Sequence, residues 1–184
     1  MIPVITTNPG KFKEIERVLQ ECGIPAIQEP LELQEEGRSL EEVARFKAEQ
    51  AWAALKKPLI VEDTGLFFTA FENFPGTRTK RTFQEIGYEG ILAKLEGKNQ
   101  EAYFQSVIAY VDDQGIRLFS GRLEGSIANE LSPTLGNPAL PMNRIFVPKG
   151  WDRALIDTPL EEEGWNSHRA QATKKFAAFF KQKQ

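Results

Sequence analysis

Cysteine is nearly absent. The 184-residue chain has one, Cys22, so no internal disulfide can form, which favours a reducing, cytoplasmic setting. Histidine is as scarce. His168 is the only one, so neither a His/Cys zinc site nor a Ser-His-Asp triad can be argued from spacing. No apolar run approaches the roughly 20 residues needed to span a bilayer, and residues 1–7 carry neither a basic region nor a signal-length apolar stretch. Excess positive charge is missing too: 23 Lys and Arg stand against 26 Asp and Glu, a formal net charge of -3. A chain-wide affinity for nucleic acid or an anionic membrane is thereby excluded. Repeats, low-complexity tracts and Ser/Gly-rich linkers are also lacking.

What is present is globular. Hydrophobic residues make up 41% and charged residues 27%, close to the average for folded domains. A chain of this length buries roughly 70% of its unfolded surface without help from disulfides or metal, and one domain over residues 1–184 is expected.

The pattern along the chain alternates strand and helix. Residues 2–7 read as a short buried strand, and Asn8-Pro9 as an N-cap with proline in the first turn. Ile15, Val18, Leu19 and Cys22 follow at helical spacing before Gly23. A second strand is expected at 24–28. Ser39 and Glu42 fit a capping box, opening a helix whose stripe is Leu40, Val43, Ala44, Lys47, Ala48, Ala51 and Leu55. Leu59-Ile60-Val61 forms a strand ending in Glu62-Asp63-Thr64-Gly65. A short helix is predicted at 88–96, and two strands at 102–111 and 116–127 around a turn at Asp112-Asp113-Gln114-Gly115. Residues 131–144 read as loop, 145–147 as a short strand, and the last helix starts near Asn166 or Ser167. Such alternation predicts an α/β fold with at least partly parallel pairing.

Four segments have residue types suited to chemistry. At Thr6-Thr7-Asn8-Pro9-Gly10-Lys11 a strand turns into a helix whose first amides are free, either an ordinary capped junction or a phosphate cradle. Glu62 and Asp63 close an apolar strand and should face opposite ways. They are either a solvated acidic turn or a structural acid beside one that binds a metal such as Mg2+. Lys47 lies on an apolar face, either laying its stem over apolar surface or aimed at phosphate in a cleft. Ser167, His168 and Arg169 gather donors at a helix start, a corner suited to purine carbonyl or phosphate oxygens. The acidic runs 35–36 and 161–163 are solvated faces by default, and Phe67, Phe68, Phe71 and Phe74 are expected in the core.

In this order the segments resemble a family. Thr6, Asn8 and Lys11 after a strand, then Ala44-x-x-Lys47-Ala48, Glu62-Asp63-Thr64-Gly65-Leu66, Phe74-Pro75-Gly76 and Ser167-His168-Arg169-x-x-Ala172 are similar to the inosine triphosphate pyrophosphatases. The resemblance spans nearly the whole chain. It implies an elongated mixed sheet with flanking helices, two lobes around a central cleft, and a homodimer. It implies Mg2+-dependent cleavage of non-standard purine nucleoside triphosphates between the α and β phosphates, giving monophosphate and pyrophosphate. It implies Asp63 as metal-binding acid and proton acceptor, and Glu35 as second metal ligand. Residues from Thr7 to Lys11, including Asn8, would cradle phosphate, Lys47 would contact it and Thr64 would touch substrate. From Ser167-His168-Arg169, the latter two would donate to the purine 6-oxo group.

Two departures stand out. The place of an aromatic-Gly-aromatic-Asp segment is taken by Leu140-Pro141-Met142-Asn143, and that of a Lys-Asn pair by Glu163-Gly164. They keep two further readings in play: a pyrophosphatase for a pyrimidine or modified nucleotide, and a nucleotide-binding regulator with little turnover.

Overall fold

Ile2–Ile5 (β1) is buried along its whole length, which demands cover on both faces and partners on both edges. Ala26–Glu29 (β2) and Leu59–Phe68 (β3) flank it in parallel. The computed structural model describes residues 1–135, 140–157 and 167–183. Over these, β3 pairs antiparallel with Pro75–Gly76 (β4) and with Glu101–Asp112 (β5). Gly115–Ile127 (β6) and Phe146–Pro148 (β7) follow in antiparallel pairing. The result is an open seven-stranded mixed sheet in the order β2-β1-β3-β5-β6-β7, with β4 beside β3.

Four α-helices flank it among the described residues: Pro9–Glu21 (α1), Leu40–Leu55 (α2), Thr79–Leu95 (α3) and His168–Lys183 (α4). On one face, Ile15 and Leu19 of α1 and Phe176 of α4 pack on Ile60 and Ile108. On the other, Ala44, Ala48 and Ala51 of α2 lie against Ile5, Val61 and Val107. A third cluster, with Phe68, Ile91, Leu95, Phe104 and Phe146, fills the far end of β3, β5 and β6. The mixed α/β sheet with flanking helices is the expected fold, and separate clusters at the two ends of the long strands make the two lobes. No helix of the described residues is long and apolar enough to cross a membrane.

The local signals hold where short-range hydrogen bonds decide. Asn8 Oδ1 accepts from the amides of Gly10 and Lys11 at 2.9 and 3.2 Å, and Ser39 Oγ accepts from Glu42 at 3.2 Å. Three expectations need correction. β3 does not stop at the acids; it runs on to Phe68, because every residue from Leu59 to Phe68 finds a partner on β5. The helix expected at 88–96 starts at Thr79 and takes in Lys80 and Arg81, with a break where Gly87 adopts φ 60°, ψ -167°. The loop over 131–144 ends in a 3-10 turn at Pro141–Arg144. Asn166, the acidic run 161–163 and Glu163-Gly164 lie outside the described residues.

Gly121 lets α4 reach the sheet. A Cβ there would overlap the carbonyl oxygen of His168 and the Gln171 side chain. Gly121→Ala is expected to push the start of α4 off β6 and cost about 1–3 kcal/mol, read as a lower urea midpoint.

Candidate active site

The site forms where β1 ends. Its last pair with β3 is Ile5 with Val61, so Glu62, Asp63 and Thr64 keep β5 on one edge and lose their strand neighbour on the other. The start of α1 stands beyond that end, as ligand sites do past the carboxyl ends of parallel strands.

Alternation along β3 sends the two acids to opposite faces. Glu62 is buried on the α1/α4 side. Lys11 Nζ stands 2.8 Å from Oε2, while Ser106 Oγ and Arg169 Nε donate to Oε1 at 2.6 and 3.0 Å. The Thr64 hydroxyl also donates to Oε1. Burial pushes the Glu62 carboxyl up, but Lys11 and Arg169 outweigh it and hold the group well below the usual carboxylate range. Arg169 is 2% exposed and is tied further by Nη1 to Glu14 at 2.6 Å and by Nη2 to Thr64 at 3.2 Å.

Asp63 faces α2. Lys47 Nζ donates to Asp63 Oδ1 at 3.1 Å, to Glu35 Oε1 at 3.3 Å and to the Glu62 carbonyl at 3.1 Å. Burial pushes the Lys47 ammonium down, but Asp63, Glu35 and Glu62 together raise it, so it stays charged. Burial also raises the Asp63 carboxyl, against the pull of Lys47 and Lys11. Burial leads the rise at Asp63, with Glu62 and Glu35 adding to it, whereas the surrounding carboxylates produce the rise at Lys47. Asp63 thereby becomes a stronger proton acceptor than an exposed aspartate.

A cavity of about 430 Å3 joins these groups. Its polar end is lined by Thr7, Asn8, Lys11, Glu14, Glu35, Asp63, Thr64 and Arg169. Its other end has Phe83, Phe104, Met142, Asn143 and Leu155, with His168. Of the residues expected to touch metal or substrate, Ser167 and Lys47 do not line it. Ser167 Oγ instead accepts from the Ala170 amide at 3.0 Å and caps α4. Lys47 sits behind Asp63 and Glu35, so its buried ammonium neither covers apolar surface with its stem alone nor opens onto the cavity.

His168 stacks on Phe104 with ring centroids 4.7 Å apart and planes at 11°. Neither ring nitrogen has a hydrogen-bond partner among the described residues. Burial, with Arg169 adding to it, holds the imidazole neutral, well below its usual value. A neutral ring offers one donor and one acceptor. It also ties stability to pH. Protons bind the unfolded chain as pH falls through about 6.5 while the folded chain excludes them. Stability from this group is complete above about 6.5 and falls below it. Between pH 7.5 and 5.5 the wild type is expected to lose about 1 kcal/mol more in urea unfolding than His168→Phe; equal losses would contradict a buried neutral histidine.

Glu35 and Asp63 are the candidate metal ligands, since their oxygens lie within 3.3 Å of one Lys47 nitrogen and both residues face the cavity. Mg2+ uses one or two carboxylates and takes its other ligands from water and phosphate, and this donor set fits that habit. Among the described residues no group of three or more His, Cys, Asp or Glu side chains could hold a metal alone.

The sequence profile of the Ham1 family matches residues 2–179. This chain belongs to the Ham1 family. Curated relatives agree with the placement. A "dITP/XTP pyrophosphatase" of Thermococcus kodakarensis is 36% identical over 180 residues, covering 97% of this chain and 96% of its own. One of Saccharolobus solfataricus is 38% identical over 182 residues, covering 97% and 92%. An "Inosine triphosphate pyrophosphatase" of Yarrowia lipolytica is 33% identical over 182 residues, covering 97% and 95%. Among solved structures, the Ham1 protein of Staphylococcus aureus superposes with a TM-score of 0.81 at 25% identity, covering 100% of both chains.

Within this Ham1 protein, sequence reading missed Glu14, Ser106 and Phe104. Glu14 lies 155 positions from the Arg169 it holds, and no local signal links them. Phe104 sits in a strand pattern that marks it only as core.

Proposed function

We propose that this chain hydrolyses non-standard purine nucleoside triphosphates, those of inosine, deoxyinosine and xanthosine, to the monophosphate and pyrophosphate. The observation that carries the reading is the Asp63 carboxylate. It is raised by burial, faces the cavity, and stands beside Glu35 with the Lys47 ammonium behind both. Names of relatives such as those of Thermococcus and Saccharolobus support the substrate class.

In this reading the triphosphate lies at the polar end. The side chains of Thr7, Asn8 and Lys11 hold its phosphates, with the positive end of the α1 dipole behind them, since Asn8 already caps the Gly10 and Lys11 amides. Asp63 accepts a proton from a water that attacks the α phosphorus. The bond between that phosphorus and the bridging oxygen to the β phosphorus breaks, and pyrophosphate leaves with the electron pair. Mg2+ held by Glu35 and Asp63 would neutralise phosphate charge and polarise phosphoryl oxygens. Lys47 keeps the two carboxylates together. Thr64 touches the substrate from β3.

The base enters the apolar end. His168 Nδ1 or Nε2, whichever bears hydrogen, donates to the purine 6-oxo oxygen. Arg169 adds N–H groups not spent on Glu62, Glu14 and Thr64. Adenine presents an amine there and leaves those donors facing a donor, a mismatch worth large factors in discrimination. Phe83 and Phe104 supply flat apolar surface where residues 140–143 offer no aromatic side chain.

Steady-state rates with Mg2+ test this. The inosine, deoxyinosine and xanthosine triphosphates are expected to exceed ATP and dUTP by at least about 100-fold in kcat/KM. A preference for dUTP would move the reading to a pyrimidine substrate, and binding without release of pyrophosphate to a regulator. We also infer a homodimer, on the family resemblance, and a cytoplasmic setting, on the single cysteine; sedimentation at a dimer mass is the expected result.

A further inference from the structure

Two separate stretches of chain wall part of the apolar end of the cavity. Phe83 comes from α3, and Leu140, Pro141, Met142 and Asn143 come from the segment that runs into the 3-10 turn. Residues 140–143 carry no aromatic side chain, so Phe83 is the flat surface that these two walls offer a base. Its use depends on how far it stands from the 140–143 segment, and a side chain behind both walls, Tyr88, bears on that distance.

Tyr88 is half-buried and does not itself line the cavity. Its hydroxyl donates to the Pro141 carbonyl at 2.8 Å. Its ring meets Phe83 edge to face, with centroids 4.7 Å apart and planes at 65°. The Arg144 guanidinium stands 5.5 Å from the Tyr88 ring centroid. Arg144 is anchored in turn by Nε and Nη2 to the Ser132 carbonyl, at 3.1 and 2.7 Å. One side chain thus touches both walls and is braced from the C-terminal end of the second. The break at Gly87 makes this contact necessary. Phe83 and Tyr88 stand on either side of it, where φ is 60° and ψ is -167°. That backbone conformation is open to glycine, and it interrupts the regular spacing that would otherwise fix Phe83 relative to the rest of α3. The edge-to-face ring contact, a geometry that aromatic pairs favour, ties the two halves together again.

We propose that Tyr88 is a positioning residue for the base, holding Phe83 and the 140–143 segment at the separation a flat purine ring requires. A gap of about 0.5–1 Å already forfeits roughly a quarter to a half of a dispersion contact, so this separation decides how much of the base's packing is realised. The inference rests on the triphosphate-cleaving reading above and extends it to a residue outside the cavity. It concerns the base alone. Lys11, Glu35 and Asp63, which meet the phosphates and metal in that reading, lie at the polar end, so phosphate binding should not sense the Tyr88 hydroxyl.

Calorimetric titration of Tyr88→Phe with the two products tests it. The substitution removes one hydroxyl and keeps the ring against Phe83, so the fold should survive it. Inosine monophosphate and inorganic pyrophosphate are titrated separately, with Mg2+, into wild type and variant. Monophosphate affinity is expected to fall at least about threefold, the order of one hydrogen bond, with pyrophosphate affinity within twofold. A merely structural role would weaken both ligands alike. Monophosphate affinity within twofold of wild type overturns the proposal, and so does equal weakening of the two products. If wild type cleaves inosine triphosphate and Tyr88→Phe binds the monophosphate as wild type does, Tyr88 loses its role and the function stands. If wild type neither binds inosine monophosphate nor releases pyrophosphate from any triphosphate, the function fails and the role of Tyr88 falls with it.

Discussion

Asp63→Asn is expected to lower pyrophosphate release from inosine triphosphate by at least about 10³-fold, with the melting temperature within a few degrees of wild type. The substitution keeps shape and removes the proton acceptor and one metal-binding oxygen, each worth orders of magnitude in rate. Stability should change little because two effects oppose each other. Burial already penalises the Asp63 charge, so a neutral amide relieves that cost. Lys47 loses one partner but keeps Glu35 and the Glu62 carbonyl. A folded Asp63→Asn protein with near-wild-type turnover would remove the assigned role.

Arg169→Met should do the reverse and strike the fold first. Arg169 joins α4 to β3 through Glu62 and to α1 through Glu14. Without it, Glu62 keeps only Lys11 as a cationic partner and Glu14 loses its own. Breaking a buried ion pair by removing one member costs about 3–5 kcal/mol. At about 2–4 °C per kcal/mol for a chain of this size, melting should fall by roughly 10 °C. Exposed Arg81→Ala, which breaks the surface pair with Glu85, should not move it measurably. An Arg169→Met protein that melts like wild type would show that the Glu62–Arg169–Glu14 bridge does not stabilise the fold.

The contrast between these residues explains what sequence could convey. The junction from β1 to α1 and the start of α2 are legible because Asn8 and Ser39 bond amides two and three positions away. The β5–β6 hairpin is legible for a similar reason, since Asp112 and Gly115 close it locally. The continuation of β3 was not. Glu62 and Asp63 look like the wet end of a strand until Lys11, Lys47 and Arg169 arrive from three helices to neutralise them. The start of α3 was hidden by the turn at Pro75-Gly76 and by the break at Gly87. Within the site, motif order pointed to Asp63, Glu35 and His168, all of which line one cavity. Ser167 and Lys47 illustrate the limit, because spacing places a residue on an element without saying which side of a neighbour its polar atom reaches.

The most direct test of the central claim is the identity of the products. Inosine triphosphate is incubated with the protein and Mg2+, and the phosphorus NMR spectrum is followed. The account requires inosine monophosphate and pyrophosphate in equal amounts, with no diphosphate intermediate. Inosine diphosphate and orthophosphate would place the cut between the β and γ phosphates and contradict it.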